Sequence, residues 1–480
     1  MYRLLKGLLI IAISFQIAGF NACRQSSLSE LAPEEPVSIK FWHYYSEEKE
    51  DRLNQMVESF NTSVGDDKQI SVEITGIGSI DVLSSTVLTL VGSGRQDELP
   101  NLFSTYPDMA SELAAQSKLV DLNVFMSESD LEVFPESYLE DGRLGEDQQI
   151  YVLPLARASE VVALNLDIWE AFTEDCSRFQ DPEKVFANWE SISAAAQAYQ
   201  RWSGGKALFG FDSLANFIII GNRQLGIDLF ESHQGSGRIN LDRETMYQLW
   251  SIYYKNTVAG GFSAYSQFRS DDLAAGDLAA AAISTSAGHY LPETYISLDG
   301  DERMTSLRIL PYPVFEQGEA VSVQQGAGLA VMKSDTDKEI ASAVLLQWLT
   351  RPEQNISFAI ESGYLPVTKP ALESHLLQSK LEMKTVSNSD ERYNMMCLTA
   401  FLEQLHTHRC YAPEPFPGSF SIRGMISSSL RHFSDQAREQ YVSDLEAGYR
   451  PDDLFDIYIN DAVFEKWYSQ LVVDLERQLN

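Results

Sequence analysis

Between Arg308 and Ala371 the chain reads RILPYP (308–313), then QQGAGLAVM (324–332), a long amphipathic stretch, and ESGYLPVTKPA (361–371). Arg308 to Tyr312 and Ala327 to Met332 are short apolar runs bounded by Pro311, Pro313, Gly326 and Gly328, the pattern of strands in a buried sheet. From Asp337 to Thr350 the residues Ile340, Ala341, Val344, Leu345, Trp348 and Leu349 share one helical face. Pro352 suits the first position of a following helix, Gly363 its end, and Tyr364 is then carried on a proline-stiffened loop. An aromatic ring held this way is a platform for stacking.

Working outward, VSIKFWHYYSEEKEDRLNQMVESFN (Val37 to Asn61) predicts a strand with Ile39 and Phe41 on one face, then a helix carrying Leu53, Met56, Val57 and Phe60. Trp42, His43, Tyr44 and Tyr45 emerge at the strand's carboxyl end, where open α/β sheets collect ligands. Alternation divides them between cleft and core, and for Trp42 both placements stay open. IYVLPLARASEVVALNLDIWEAF (150–172) and FRSDDLAAGDLAAAAISTSAGHYL (268–291) add further strand and helix units. Pro182 to Tyr199 and Asp242 to Tyr254 read as helices, and the amphipathic end around Phe455, Ile459, Val463, Trp467 and Leu471 reads as packing onto the second half of the molecule.

Taken in order, these four segments resemble the extracytoplasmic solute-binding proteins of ABC transporters, in particular the family 1 group that binds sugars and glycerol phosphates; the likeness runs from about Val37 to Ala371. It implies an α/β fold of the periplasmic-binding-protein type II kind, with two lobes joined by hinge strands around a ligand cleft. On that plan lobe 1 holds 37–151 and 310–368, lobe 2 holds 157–305 and 369–480, and the chain crosses at 152–156 and 306–309. Such extended crossings absorb dihedral change without unpacking a helix.

Hydroxyl-rich ligands need flat aromatic faces and planar or charged hydrogen-bonding groups in a preformed concavity. The residue types and the resemblance together nominate Trp42, Tyr44, Tyr106, Arg157, Glu160, Ser286, Tyr290, Gly326 and Tyr364. Arg157 and Glu160 are equally readable as a structural ion pair or hinge cap, and Ser284 or Ser286 as a helix cap. The glycerol-3-phosphate binders that the chain resembles carry a Lys-Gly-x-Tyr arrangement after their second strand. GIGSID places Ile77 and Ile80 there instead, which favours an uncharged sugar or oligosaccharide. The alternatives are a glycerol-3-phosphate or related phosphodiester ligand, or a receptor feeding a membrane sensor rather than a transporter. Arg423 in SFSIRGM is either a surface residue or an anion contact from the tail.

The amino terminus points to the same compartment. Arg3 and Lys6 precede the apolar run Leu4 to Gly19, and Ala22 precedes Cys23, so residues 1–22 read as a secretory signal and Cys23 as a lipid-bearing cysteine of the bacterial lipoprotein type. Residues 23–36 form a Ser-, Glu- and Pro-rich tether. This implies an extracytoplasmic, membrane-anchored lipoprotein, in the periplasm or at the cell surface, with acyl chains holding it to the bilayer.

With 480 residues, 44% hydrophobic and 11% aromatic, the chain can fill two substantial lobes. Its formal charge of −33, or −35 without Arg3 and Lys6, argues against nucleic acid as a surface partner. Neither a P-loop nor a GxSxG, HExxH or dinucleotide fingerprint is present, so no enzyme activity, cofactor or metal is expected, and His406, His408 and Cys410 lack the companions a metal site needs. The expected partners are a small carbohydrate ligand and ABC transporter membrane subunits, with the protein a monomer. Pairing of Cys397 with Cys410 stays open.

Overall fold

The structure, a computed structural model, describes residues 32–45, 47–145, 148–233, 236–382 and 389–479. The leader and Cys23 lie outside the described residues. Two sheets organise the chain. The first contains β1 (Val37–His43), β2 (Ile70–Gly76), β3 (Leu102–Thr105), β4 (Leu153–Pro154) and, from far along the sequence, a strand at Gly328–Val331. The second contains β5 (Glu160–Asn165), β6 (Ala207–Phe211), β7 (Leu278–Ser284) and β8 (Leu307–Pro311); the Gly328–Val331 strand is therefore β9.

The orders are β2-β1-β3-β9-β4 and β8-β5-β7-β6. β1 runs parallel to β2 and β3, with helices as crossovers, while β9 enters antiparallel to both β3 and β4. In the second sheet β5 is antiparallel to β7 and β8, and β7 is parallel to β6. β7 reads LAAAAIS and is buried along nearly its whole length, because packed structure covers both of its faces.

Alternation along β1 works as the sequence suggests. Ile39 and Phe41 join Leu53, Val57 and Phe60 of the Glu47–Asn61 helix in one core, and Trp42 packs from the opposite face against a cluster that includes Leu83, Val87 and Phe103. A separate core around Trp169, Trp189 and Trp250 fills the second lobe.

The decisive segment forms β9, the Thr336–Leu349 helix and the Pro352–Glu361 helix, with Pro352 in its first turn and Gly363 at φ 77° beyond its end. Two expectations change. The helix read from Pro182 to Tyr199 is two, Pro182–Val185 and Trp189–Trp202, because the Asn188 side chain accepts from the Ser191 amide and starts a new helix. The crossing expected at 306–309 falls at β8, paired residue by residue with β5; Leu310 and Phe315 pack in the second core, so the chain leaves that sheet only after Pro311.

Segments that lie between the two sheets bond to one another. Arg157 exchanges two backbone hydrogen bonds with Leu365, at 3.1 and 2.8 Å, and Ala158 exchanges two with Gln325, at 2.8 and 3.0 Å. Gly326 sits at φ 124°, and a Cβ there would meet the Ala156 carbonyl oxygen at 2.3 Å, so only glycine lets these segments approach. The tail returns to the second sheet. Its Ser389–Thr407 helix packs on β8 and on the turn 285–290, and its 28-residue Ser419–Glu446 helix packs on the Arg243–Ala259 and Leu214–Gln224 helices.

Candidate functional site

A cavity of about 560 Å³ opens between the two sheets beside these segments, within the range of small-molecule sites. The first lobe supplies Ile80, Asp81, Tyr106, Pro107, Asp108 and Asp141. The second supplies Ser213, Asn216, Ile219 and Phe230, and the tail adds Glu414, Phe420 and Arg423. Arg157 and the run Val323 to Gly326 form the hinge wall.

Local sequence explains most of these positions. Pro107 starts the Pro107–Ala115 helix directly after β3, which leaves Tyr106 at the strand's carboxyl end and Asp108 in the helix's first turn. Ser79 caps the Ile80–Gly92 helix by accepting from the Val82 amide at 3.3 Å, placing Asp81 in its first turn. Ser213 does the same for Asn216 at 3.2 Å after β6. Both aspartates thus sit where the helix dipole favours negative charge.

A polar relay crosses the cavity. Arg423 donates to the Asn216 side-chain oxygen Oδ1 at 2.5 Å and faces Asp108 at 3.8 Å. The Asn216 amide nitrogen donates to Glu160 at 2.8 Å and to Gln325 at 3.0 Å. Burial pushes the Glu160 carboxyl up to about 7, against the opposing hydrogen bond from Asn216. Burial also raises Asp108, and the Arg423 guanidinium opposes it. Asp141 is raised for the same reason while Arg157 pairs with it at 2.9 Å.

Of the expected contacts, Tyr106, Arg157 and Gly326 line the cavity, and Glu160 stands one hydrogen bond behind its wall. Arg157 is committed to structure: 3% exposed, it bonds Asp141 and the Tyr138 carbonyl. Trp42 is a half-buried packing residue. Tyr44, Ser286, Tyr290 and Tyr364 gather in a second group beyond Tyr106. Tyr44 stacks on Tyr45 at 4.6 Å and lies 6.4 Å from the Tyr106 ring. Tyr364 is 6% exposed and packs edge-on to Tyr45 at 6.3 Å. Burial holds the Tyr44 and Tyr45 phenols well above their ordinary range, and neighbouring phenols add to it. Ser284 caps the short turn of 3₁₀-helix Thr285–Tyr290, accepting from the Ser286 amide.

Sequence reading missed Asp81, Asp108, Asn216, Gln325, Phe230 and Phe420 as parts of the wall. Asp108 and Asn216 had a signal, since each begins a helix just after a sheet strand. Arg423, for which the sequence allows a surface role or an anion contact, is in the wall. Cys397 and Cys410 are both free, the first buried in the Ser389–Thr407 helix and the second beside Ser322. Among the described residues no group of His, Cys, Asp and Glu could hold a metal, and His408 bonds Thr407 and the Tyr312 carbonyl instead. Among them, too, no helix is long and apolar enough to cross a membrane.

Comparison with known structures places the fold. The chain is similar to the cyclic α-maltosyl-1,6-maltose binding protein of Arthrobacter globiformis, at 17% identity over 91% of this chain and 99% of that one, with a TM-score of 0.62. UgpB of Mycobacterium tuberculosis, in complex with glycerophosphocholine, shares 19% identity over 93% and 100%, with a TM-score of 0.66. The ABC substrate-binding protein Lmo0181 of Listeria monocytogenes, in complex with cycloalternan, shares 15% over 88% and 99%, with a TM-score of 0.64. No curated protein matches the sequence. The family model for bacterial extracellular solute-binding proteins matches residues 55–385, more than half of the chain. Together with the two-sheet fold and the cavity between its halves, that match makes the chain a member of the bacterial extracellular solute-binding protein family.

Proposed function

We propose that the protein captures an uncharged oligosaccharide between its lobes and delivers it to an ABC importer. The observation that carries this reading is the composition of the cavity wall. Tyr106, Phe230 and Phe420 offer apolar faces, while Asp81, Asp108, Asn216, Gln325 and Arg423 offer donors and acceptors around them. That combination suits the two surfaces of a sugar ring, and the sugar-binding proteins similar in fold support it. Binding to groups from both lobes stabilises the closed form, which alone completes the shell, and the closed form docks on the membrane subunits. The reading involves capture without chemistry, so no catalytic residue is assigned.

One observation favours a second reading, a phosphodiester ligand: Arg423 reaches the cavity. Its guanidinium already faces Asp108 and bonds Asn216, and Ile80 occupies the wall where the resemblance would put a polar group. The oligosaccharide reading is preferred on those grounds. Isothermal titration with linear and cyclic gluco-oligosaccharides and with glycerophosphocholine separates the two, since binding of glycerophosphocholine alone removes the first.

The extracytoplasmic placement extends to anchoring through Cys23. Replacement of Cys23 by Ala releases the protein into the soluble fraction if acyl chains hold it, and retention at the membrane contradicts the lipoprotein assignment.

A further inference from the structure

The aromatic group beyond Tyr106 holds the protein's own cation. Lys49 lies on the Glu47–Asn61 helix of the first lobe, yet its ammonium donates to the Ser286 carbonyl oxygen of the second lobe at 3.0 Å. The same nitrogen stands 5.0 Å from the ring centre of Tyr364 and 5.5 Å from that of Tyr290. Two ring faces and a carbonyl thus close around one ammonium, the arrangement in which rings attract cations. A run of rings leads there from the cavity: Tyr106 in its wall, Tyr44 at 6.4 Å, Tyr45 at 4.6 Å from Tyr44, and Tyr364 at 6.3 Å from Tyr45.

A ring face beside a hydrogen-bonding carbonyl is also what a sugar unit uses. We infer that Lys49 is a specificity-determining residue: it fills the subsite that the outer unit of a longer oligosaccharide would take, and so limits the length of ligand the cleft accepts. The inference rests on the oligosaccharide reading above. It accounts for the division of the expected contacts, in which Tyr106 lines the cavity while Ser286, Tyr290 and Tyr364 surround Lys49 instead.

The test compares wild-type protein with Lys49→Ala in two titrations. Against a ladder of linear gluco-oligosaccharides from the disaccharide upward, the variant gains about tenfold or more in affinity for the longer members relative to the disaccharide. An equal loss at every length, or no change, overturns the inference, since either assigns Lys49 to holding the lobes together or to nothing in recognition. Against propylammonium chloride, which restores the missing ammonium, the variant gains thermal stability and the wild type does not. No gain in the variant means that the rings and carbonyl do not form a built subsite, and the inference fails. If neither protein binds any member of the ladder, the oligosaccharide reading and the length limit fall together, while propylammonium still decides whether the cage is real.

Discussion

Arg423 and Asp108 face each other across the cleft at 3.8 Å, one from the tail helix on the second lobe and the other from the first turn after β3. The same guanidinium donates to the Asn216 Oδ1, and the Asn216 Nδ2 in turn donates to Glu160 and Gln325. One side chain from the end of the chain therefore joins both walls of the cavity to the hinge.

Replacing Arg423 by Met leaves Asp108 without its facing cation and Asn216 without a donor. Arg423 also lines the cavity, and a charge-assisted hydrogen bond from it to a ligand is worth about 1.5–3 kcal/mol, so ligand affinity falls by about ten- to a hundredfold. The Asp108 carboxyl, raised already by burial, rises further, and binding by the variant becomes more sensitive to acid. Titration of ligand at several pH values checks both effects.

Glu160 gives the fold a pH dependence. Its carboxyl titrates near 7 in the folded state, against the ordinary value of 4.5. A raised carboxyl binds its proton more tightly when folded, so its effect favours folding at low pH and is lost as pH rises from about 4.5 to 7. Glu160→Gln removes that loss, and at pH 8 the variant gains on the order of 3 kcal/mol relative to its difference from wild type at pH 4. Thermal melts of the two proteins across this window check the prediction, and parallel curves contradict it.

Tyr106 and Tyr364 separate binding from stability. Tyr106→Ala removes a ring from the cavity wall and weakens ligand by about tenfold or more with little change in melting temperature. Tyr364→Ala opens a void in the first core and costs about 3–5 kcal/mol of stability. Denaturant titrations beside calorimetric binding distinguish them.

Gly326→Ala puts a methyl group against the Ala156 carbonyl oxygen at a backbone angle that alanine rarely takes. Such strain costs about 1–3 kcal/mol. Because the clash lies between two segments that join the sheets, the variant also loses ligand-induced compaction in small-angle scattering.

What the sequence disclosed follows the physics of each signal. The strand and helix periodicities of Val37–Asn61 and of 308–371 are local, and β1, β9 and the two helices after β9 stand close to where they were read. The crossing expected at 306–309 lies later because β8 is an edge strand that tolerates Pro311 at its end, so the chain stays in the second sheet through Pro311. Arg157 and Tyr106 were legible because each follows a strand. Phe420 and Arg423 reach the cavity only through tertiary packing of a helix whose sequence partners lie some 200 residues earlier, as in the bond to Asn216. No sequence signal marks Lys49, because its place among Ser286, Tyr290 and Tyr364 requires both lobes.

The most direct measurement is a thermal-shift panel of gluco-oligosaccharides, linear and cyclic, and glycerophosphocholine on wild-type protein and Tyr106→Ala in parallel. A ligand at about 100 times its dissociation constant adds about 2.7 kcal/mol of stability. The account predicts such a shift for at least one oligosaccharide on the wild type and a much smaller one on the variant. A wild type that responds to no oligosaccharide, or a shift of equal size in Tyr106→Ala, contradicts it.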